Sequence, residues 1–183
     1  MQGIDVLVRE HENVLDFSDK VKDECIKIFN GKKLNIDFFE KVLDFGKNFV
    51  DKHHHKKEED ILFITMVDKL GEPIKHVIEK GMLFDHDTGR MFLMNLEYAI
   101  QEYKMINDDN NKLKIISNAF GYADLMDNHI NKENEVLYPY AENNLKLEDQ
   151  EDVNNKIQEY EEQAYSNNIQ SKYLELLTEI KNM

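Results

Sequence analysis

The sequence predicts an all-α protein, an antiparallel up-down-up-down four-helix bundle with further helix at its C-terminal end. Three observations lead to this reading. Apolar and histidine residues recur at steps of three, four and seven along four long segments, which is the signature of one buried helix face. Only 7 glycines and 2 prolines occur in 183 residues, so little interrupts those segments. Polar or Gly/Pro breaks between the segments are short, and long helices joined by short connections fold most simply as antiparallel neighbours.

The first segment, 4–30, places Ile4, Leu7, His11, Val14, Val21, Cys25 and Ile28 on one face, and Asn30-Gly31 closes it as a helix C-terminus. The second, 35–70, runs from Phe38 through Val42, Phe45 and Phe49 to Leu62, Met66 and Leu70. Gly71-Glu72-Pro73 then breaks the chain, with Pro73 suited to the first turn of the next helix. The third, 73–106, aligns Met82, His86, Gly89, Leu93, Leu96, Ile100 and Tyr103. The polar run from Asn107 to Asn111 is a loop. The fourth, 112–144, aligns Ile115, Ala119, Tyr122, Met126, His129, Glu133, Val136 and Tyr140. Residues 1–145 therefore make the bundle. Residues 146–183 make one or two amphipathic helices, broken near Asn167-Asn168; acidic and lacking histidine, they read as a cover packed on the bundle.

Composition narrows function. A net charge of -14 with no basic cluster excludes nucleic acid and anionic membranes as partners, because both require phosphate neutralisation. No apolar run reaches the roughly 20 residues that span a bilayer, and no apolar leader opens the chain, so a cytoplasmic location is expected. The single cysteine, Cys25, allows no internal disulfide and no multi-cysteine metal site, and its place on an apolar stripe makes it a core thiol.

The chemistry lies in an internal repeat. Shifted by 75 residues, Glu10-His11-Glu12 falls on Asp85-His86-Asp87, His54 on His129, Glu58 on Glu133, and Leu62-Phe63 on Leu137-Tyr138. His11 and His54 lie 43 positions apart, as do His86 and His129. His54-x-x-x-Glu58 and His129-x-x-x-Glu133 each put an imidazole and a carboxylate one turn apart, while His11 and His86 sit singly on apolar faces. A lone histidine on such a face is ordinarily a hydrogen-bonded core residue. Burying four histidines and two glutamates together without a cation would be costly, since each unpaired buried carboxylate costs several kcal/mol. The set exceeds the needs of one ion, and two carboxylates can each bridge a metal pair. Mixed imidazole and carboxylate ligation suits iron better than calcium or magnesium; manganese and zinc also fit.

The register of the second helix stays open. His53-His54-His55-Lys56-Lys57-Glu58-Glu59 contains two overlapping pairs, His54/Glu58 and His55/Glu59. The repeat favours His54 and Glu58. Ile130 stands opposite His55, so His55 can add one asymmetric ligand, giving a candidate set of His11, His54, His55, Glu58, His86, His129 and Glu133. Glu59 reads as a solvated residue or a support to a ligand. His53, His76 and the acids flanking His11 and His86 read as surface groups. Arg90 can pair with a nearby acid, Gly89 allows close helix packing, and Tyr122 and Tyr140 share the face of His129 as core fillers or hydrogen-bond donors.

These motifs resemble the hemerythrin-like, or HHE cation-binding, family. The resemblance rests on Glu10-His11, on His54-His55-Lys-Lys-Glu58-Glu59-Asp-Ile-Leu-Phe, on Asp85-His86-Asp-Thr-Gly-Arg90, and on His129-Ile-Asn-Lys-Glu133-Asn-Glu-Val-Leu-Tyr-Pro, and it covers about residues 4–145. It implies two non-haem iron ions in the bundle core, bridged by the two carboxylates and by solvent or an oxo/hydroxo group. It also implies dioxygen, nitric oxide or peroxide as the small ligand. The sequence departs from the oxygen-carrying hemerythrins on the third helix, where Met82 and Arg90 flank His86 in place of a second histidine. That departure favours an open, reactive position over stable oxygen carriage. Two functions follow: a protein that binds or senses dioxygen or nitric oxide, and, alternatively, a diiron peroxidase or oxidase protecting against oxidative or nitrosative stress. Ferritin-like iron oxidation lacks its Glu-x-x-His pair, and zinc hydrolysis lacks HExxH.

Overall fold

A computed structural model describes residues 1–183 and is helical throughout, with no strand. Helix α1 spans Gln2–Phe29. Helix α2 is continuous from Ile36 to Leu70, and its first turn is capped by Asn35, whose side-chain oxygen accepts from the Asp37 N–H at 3.1 Å. Helix α3 runs from Ile74 to Met105, and α4 from Asp109 to Asn144, capped by Asp108. Two further helices complete the chain, α5 over Leu147–Ser166 and α6 over Ile169–Asn182, with Asn168 between them in the left-handed region at φ 56°. The break expected near Asn167-Asn168 is therefore where the chain turns. No helix is long and apolar enough to cross a membrane.

Helix α3 lies along α4, and α4 along α1. Along the α3–α4 pair, His86 meets His129, Phe92 packs over Gly121, and Lys114 bonds Glu102. Position numbers rise on one helix as they fall on the other. A Cβ at Gly89 would meet Met126 and Tyr122 at 3.4 Å, so α3 and α4 approach closely there.

The core divides into two apolar clusters with a polar layer between them. On α1, Ile4 and Leu7 belong to one cluster and Val14, Phe17, Val21, Cys25 and Ile28 to the other, with His11 between. The same order holds on α2, where Phe45, Phe49 and Val50 precede His54–Glu58 and Leu62 and Met66 follow. It holds again on α3 around His86 and on α4 around His129–Glu133. Apolar burial above and below holds the four polar segments at one level, where they could not remain on hydrophobic grounds alone. Helix α5 packs Val153 and Ile157 into one cluster, and α6 packs Tyr173, Leu177 and Ile180 into the other, so the C-terminal pair straddles the layer.

Four helical stretches are wound as π-helix, over Phe45–His55, Glu58–Phe63, Ile78–Met82 and Glu133–Leu137. A π turn inserts one residue and shifts every later side chain around the axis. This explains where strict helical spacing misplaced the core of α4. Val136 and Tyr140 are exposed, at 62% and 37%, and Leu137, Tyr138 and Ala141 take their places inside. It also explains how consecutive histidines on α2 can all be buried: the widened turns rotate less per residue and gather His53, His54 and His55 onto a narrower arc, at 2%, 1% and 3% exposure.

Candidate metal centre

The polar layer brings the seven predicted residues together in two groups of donor atoms. One group comprises His55, Glu58, His86 and His129, and the other His11, His54, Glu58 and Glu133; within each, the donor atoms lie within 4.8 Å of one another. Glu58 is common to both. Its Oε2 lies 3.6 Å from His54 Nε2 and 3.6 Å from His86 Nε2, midway between the halves. Glu133 links them as well, with Oε1 3.2 Å from His129 Nε2 and Oε2 3.2 Å from His11 Nε2. His55, left open by spacing alone, joins the first group with its ring stacked on His86 at 3.7 Å.

The imidazoles are held from behind, and the repeat governs how. Glu10 bonds His54 Nδ1 at 2.8 Å, and its counterpart Asp85 faces His129 Nδ1 at 3.4 Å. Glu59 bonds His86 Nδ1 at 2.7 Å, and its counterpart Asn134 bonds His11 Nδ1 at 2.8 Å. Each of these four rings therefore turns Nε2 inward, the arrangement in which a partner on one nitrogen fixes the tautomer and aims the other at a cation.

Glu10 and Asp85 correct the sequence reading, which placed the acids beside His11 and His86 on the surface. Only the following acids, Glu12 and Asp87, are exposed; Glu10 and Asp85 are buried. A residue one step from a ligand on its own helix points about 100° away, which here aims it at the neighbouring helix. His53 is a second correction. It is buried beside Lys57, which is wholly inaccessible and whose ammonium bonds both Glu10 and Glu161 of α5 and lies 3.2 Å from His53 Nε2. Glu10, His53 and Glu161 also form a donor cluster, but the Lys57 cation already sits among them. The C-terminal cover thus reaches the support of His54 through Glu161, a link that the lack of histidine in α5 concealed. His76 is exposed as expected, and Arg90 pairs with Asp51, Glu59 and Asp87. Tyr122 is a buried core filler whose hydroxyl finds no partner.

Tyr138 has the role that the spacing assigned to no residue. Its hydroxyl donates to Glu58 Oε1 at 2.5 Å, and its ring stacks on His11 at 5.4 Å. The signal was present in the repeat, where Tyr138 matches Phe63, which stacks on His86 at 5.8 Å.

Burial dominates the electrostatics of the layer. Burial holds His54, His55 and His86 neutral, with pKa values pushed down to about 3, the first opposed by Glu10 and the other two reinforced by neighbouring imidazoles. Burial also raises Glu58 well above the carboxylate range, and the nearby charge of Glu133 adds to it. For Glu133, burial acts upward but is outweighed by His129 and His11, so its pKa falls. His129 is raised to about 9, because Glu133 and Asp85 outweigh its burial. Neutral imidazole and ionised carboxylate are the ligating forms, so a cation bound here would displace the protons that Glu58 and His129 otherwise hold.

Geometry agrees with this. Of nine buried polar side-chain atoms lacking a hydrogen-bond partner, four belong to His54, Glu58 and Glu133 and face the site, while a fifth, His55 Nδ1, lies 3.8 Å from Asp51. Such orphans are rare in folded proteins and point to a missing cation or water. His86 Nε2 and His129 Nε2 are 3.0 Å apart. Two ligands at right angles, each about 2.1 Å from one ion, are separated by about 3.0 Å. The residues present therefore fit a metal.

Comparison with known proteins agrees. The hemerythrin HHE cation-binding domain matches residues 2–163, nearly the whole bundle and most of α5. The chain belongs to the hemerythrin HHE cation-binding family. Within this hemerythrin-family chain the buried His/Glu groups are the natural seat of the cation, typically iron in this family. No curated protein and no solved structure matches it.

Proposed function

We propose that the chain is an up-down-up-down antiparallel bundle holding two non-haem irons through His11, His54, His55, Glu58, His86, His129 and Glu133. Its function on this reading is to bind or sense dioxygen or nitric oxide. One observation carries it: two buried donor groups share Glu58 and are joined again by Glu133, which is a site for two cations side by side. Held there, a pair of ferrous ions would supply two electrons to a small oxidant. The chain's own residues do the rest. The carboxylates would hold the ions adjacent, the Nδ1 partners fix the imidazoles, and near-complete burial restricts the exogenous ligand to small molecules.

The two halves are unequal. Three imidazoles serve the His55/His86/His129 side and two the His11/His54 side; with Glu58 and Glu133 reaching both, the second side has one protein donor fewer. The alternative, a peroxidase or oxidase, is favoured by the Tyr138 hydroxyl on that same side, 3.4 Å from His11 Nε2, as a proton donor inside a dry site.

The test is anaerobic loading with ferrous iron, a count of bound iron, and admission of air while the optical spectrum is recorded. Two irons per chain and a visible band that reverses on removing oxygen support binding or sensing. A band that forms and decays, with sustained consumption of reductant and peroxide, supports the enzyme. Protein that binds no iron refutes both.

A further inference from the structure

The internal repeat supplies a control for the role of Tyr138. Glu58 and Glu133 are equivalent positions, and so are Phe63 and Tyr138. Phe63 packs on the ring of His86 and Tyr138 on the ring of His11, so the two aromatic rings do the same work. Only Tyr138 carries a hydroxyl, and that hydroxyl donates to Glu58 Oε1 at 2.5 Å. No hydroxyl serves Glu133, both of whose oxygens lack a hydrogen-bond partner; each lies 3.2 Å from an inward imidazole nitrogen, one in each half. Glu58 differs. Its Oε2 alone is unpartnered, and that same atom stands 3.6 Å from an imidazole nitrogen of either half.

We propose that Tyr138 is a positioning residue that reserves one oxygen of Glu58, so that Glu133 presents two oxygens to the metal pair and Glu58 presents one. The inference rests on the two-metal reading above and adds the number of protein donors it has. Five imidazole nitrogens and three carboxylate oxygens face the pair, and the withheld oxygen leaves one further coordination position to an exogenous ligand. A hydrogen bond to a carboxylate is among the stronger ones, strong enough to compete with a weak additional bond from Oε1 to metal. The ring of Tyr138 is wholly buried between His11 and the apolar cluster, so the hydroxyl has no solvent to turn to, and Glu58 Oε1 at 2.5 Å is a much closer partner than His11 Nε2 at 3.4 Å.

The variant Tyr138→Phe tests this. It recreates the side chain already present at Phe63, keeps the ring contact with His11, and removes only the hydroxyl. Wild-type and variant proteins are loaded with iron, their metal content is counted, and azide is titrated into the oxidised forms while the charge-transfer band is followed. With Oε1 released to fill the open position, azide must displace it, and the azide dissociation constant is expected to rise about tenfold at unchanged metal content. Equal azide affinity in two proteins that each hold two metals overturns the role of Tyr138 and leaves the two-metal reading intact. Wild-type protein holding one metal or none overturns both. A second measurement needs no variant: the infrared difference between oxidised and reduced wild-type protein should show carboxylate ligands of two kinds, one bound through a single oxygen and one through both. A single class bound through both oxygens overturns the proposal.

Discussion

Removing the oxygen behind one ligand should weaken the metal without weakening the fold, and Asn134 is the position where the two separate. Its side-chain oxygen accepts from His11 Nδ1 at 2.8 Å, it is half-buried, and its one side-chain hydrogen bond is to His11. Asn134→Ala deletes one neutral hydrogen bond, worth about 1 kcal/mol to the apo fold at most when water can replace it. For the metal the effect is larger, because His11 loses what fixes its tautomer and its ring. Loss of such an outer partner lowers metal affinity by about 10–100-fold, which is about 1.4–2.7 kcal/mol. The assay is competition for iron against a chelator of known strength, beside thermal melts of the metal-free proteins. The weakening should fall on one of two sites, since only His11 is freed while His54, His55, His86 and His129 keep their surroundings. Affinity within threefold of wild type, with a melt showing an intact fold, would refute the reasoning that the Nδ1 partners aim the imidazoles.

Three further outcomes follow from the same geometry. Lys57→Met leaves Glu10 buried without its cation; breaking one partner of a buried pair costs about 3 kcal/mol, and a melting temperature lowered by about 6–12 °C is expected, against which a fall under 2 °C would count. His55→Ile places in the first half the residue that the second half already carries at Ile130, so iron should bind with the same stoichiometry but more weakly on the His86/His129 side; unchanged affinity by chelator competition would remove His55 from the site. Burial pushes the Cys25 thiol up to about 12, so at pH 8 only about one in ten thousand is thiolate and the folded protein should resist alkylation. Because the unfolded thiol ionises first, near pH 8.5–9, this group's contribution to stability is full below that pH and is lost as pH rises towards 12; a melting temperature that climbs through this range in wild type relative to Cys25→Ala would contradict the burial.

How far the sequence could be read is clearest on α2 and α4. The spacing of His54 and Glu58, repeated at His129 and Glu133, was enough to place four donor side chains at one level, because covalent spacing along a helix maps directly onto its face. The same rule failed at Val136 and Tyr140, since it assumes uninterrupted α-helical pitch and the π turn at Glu133–Leu137 adds a residue. The supports were less legible. Nothing in the local sequence separates Glu10, which bonds His54, from Glu12, which is exposed, because what distinguishes them is the helix each one faces.

Taken alone, then, the sequence determined the helical class, the internal repeat and the chemical kind of the site, because periodicity, spacing and donor type are properties of the chain itself. Tertiary structure decided what depends on neighbours distant along that chain. It brought His55 inside through a widened turn, set Glu10, Asp85, Glu59 and Asn134 behind the imidazoles, buried Lys57 under Glu161, and brought the Tyr138 hydroxyl onto Glu58. Each of these is an interaction across helices, and its direction is set by packing that no local pattern encodes.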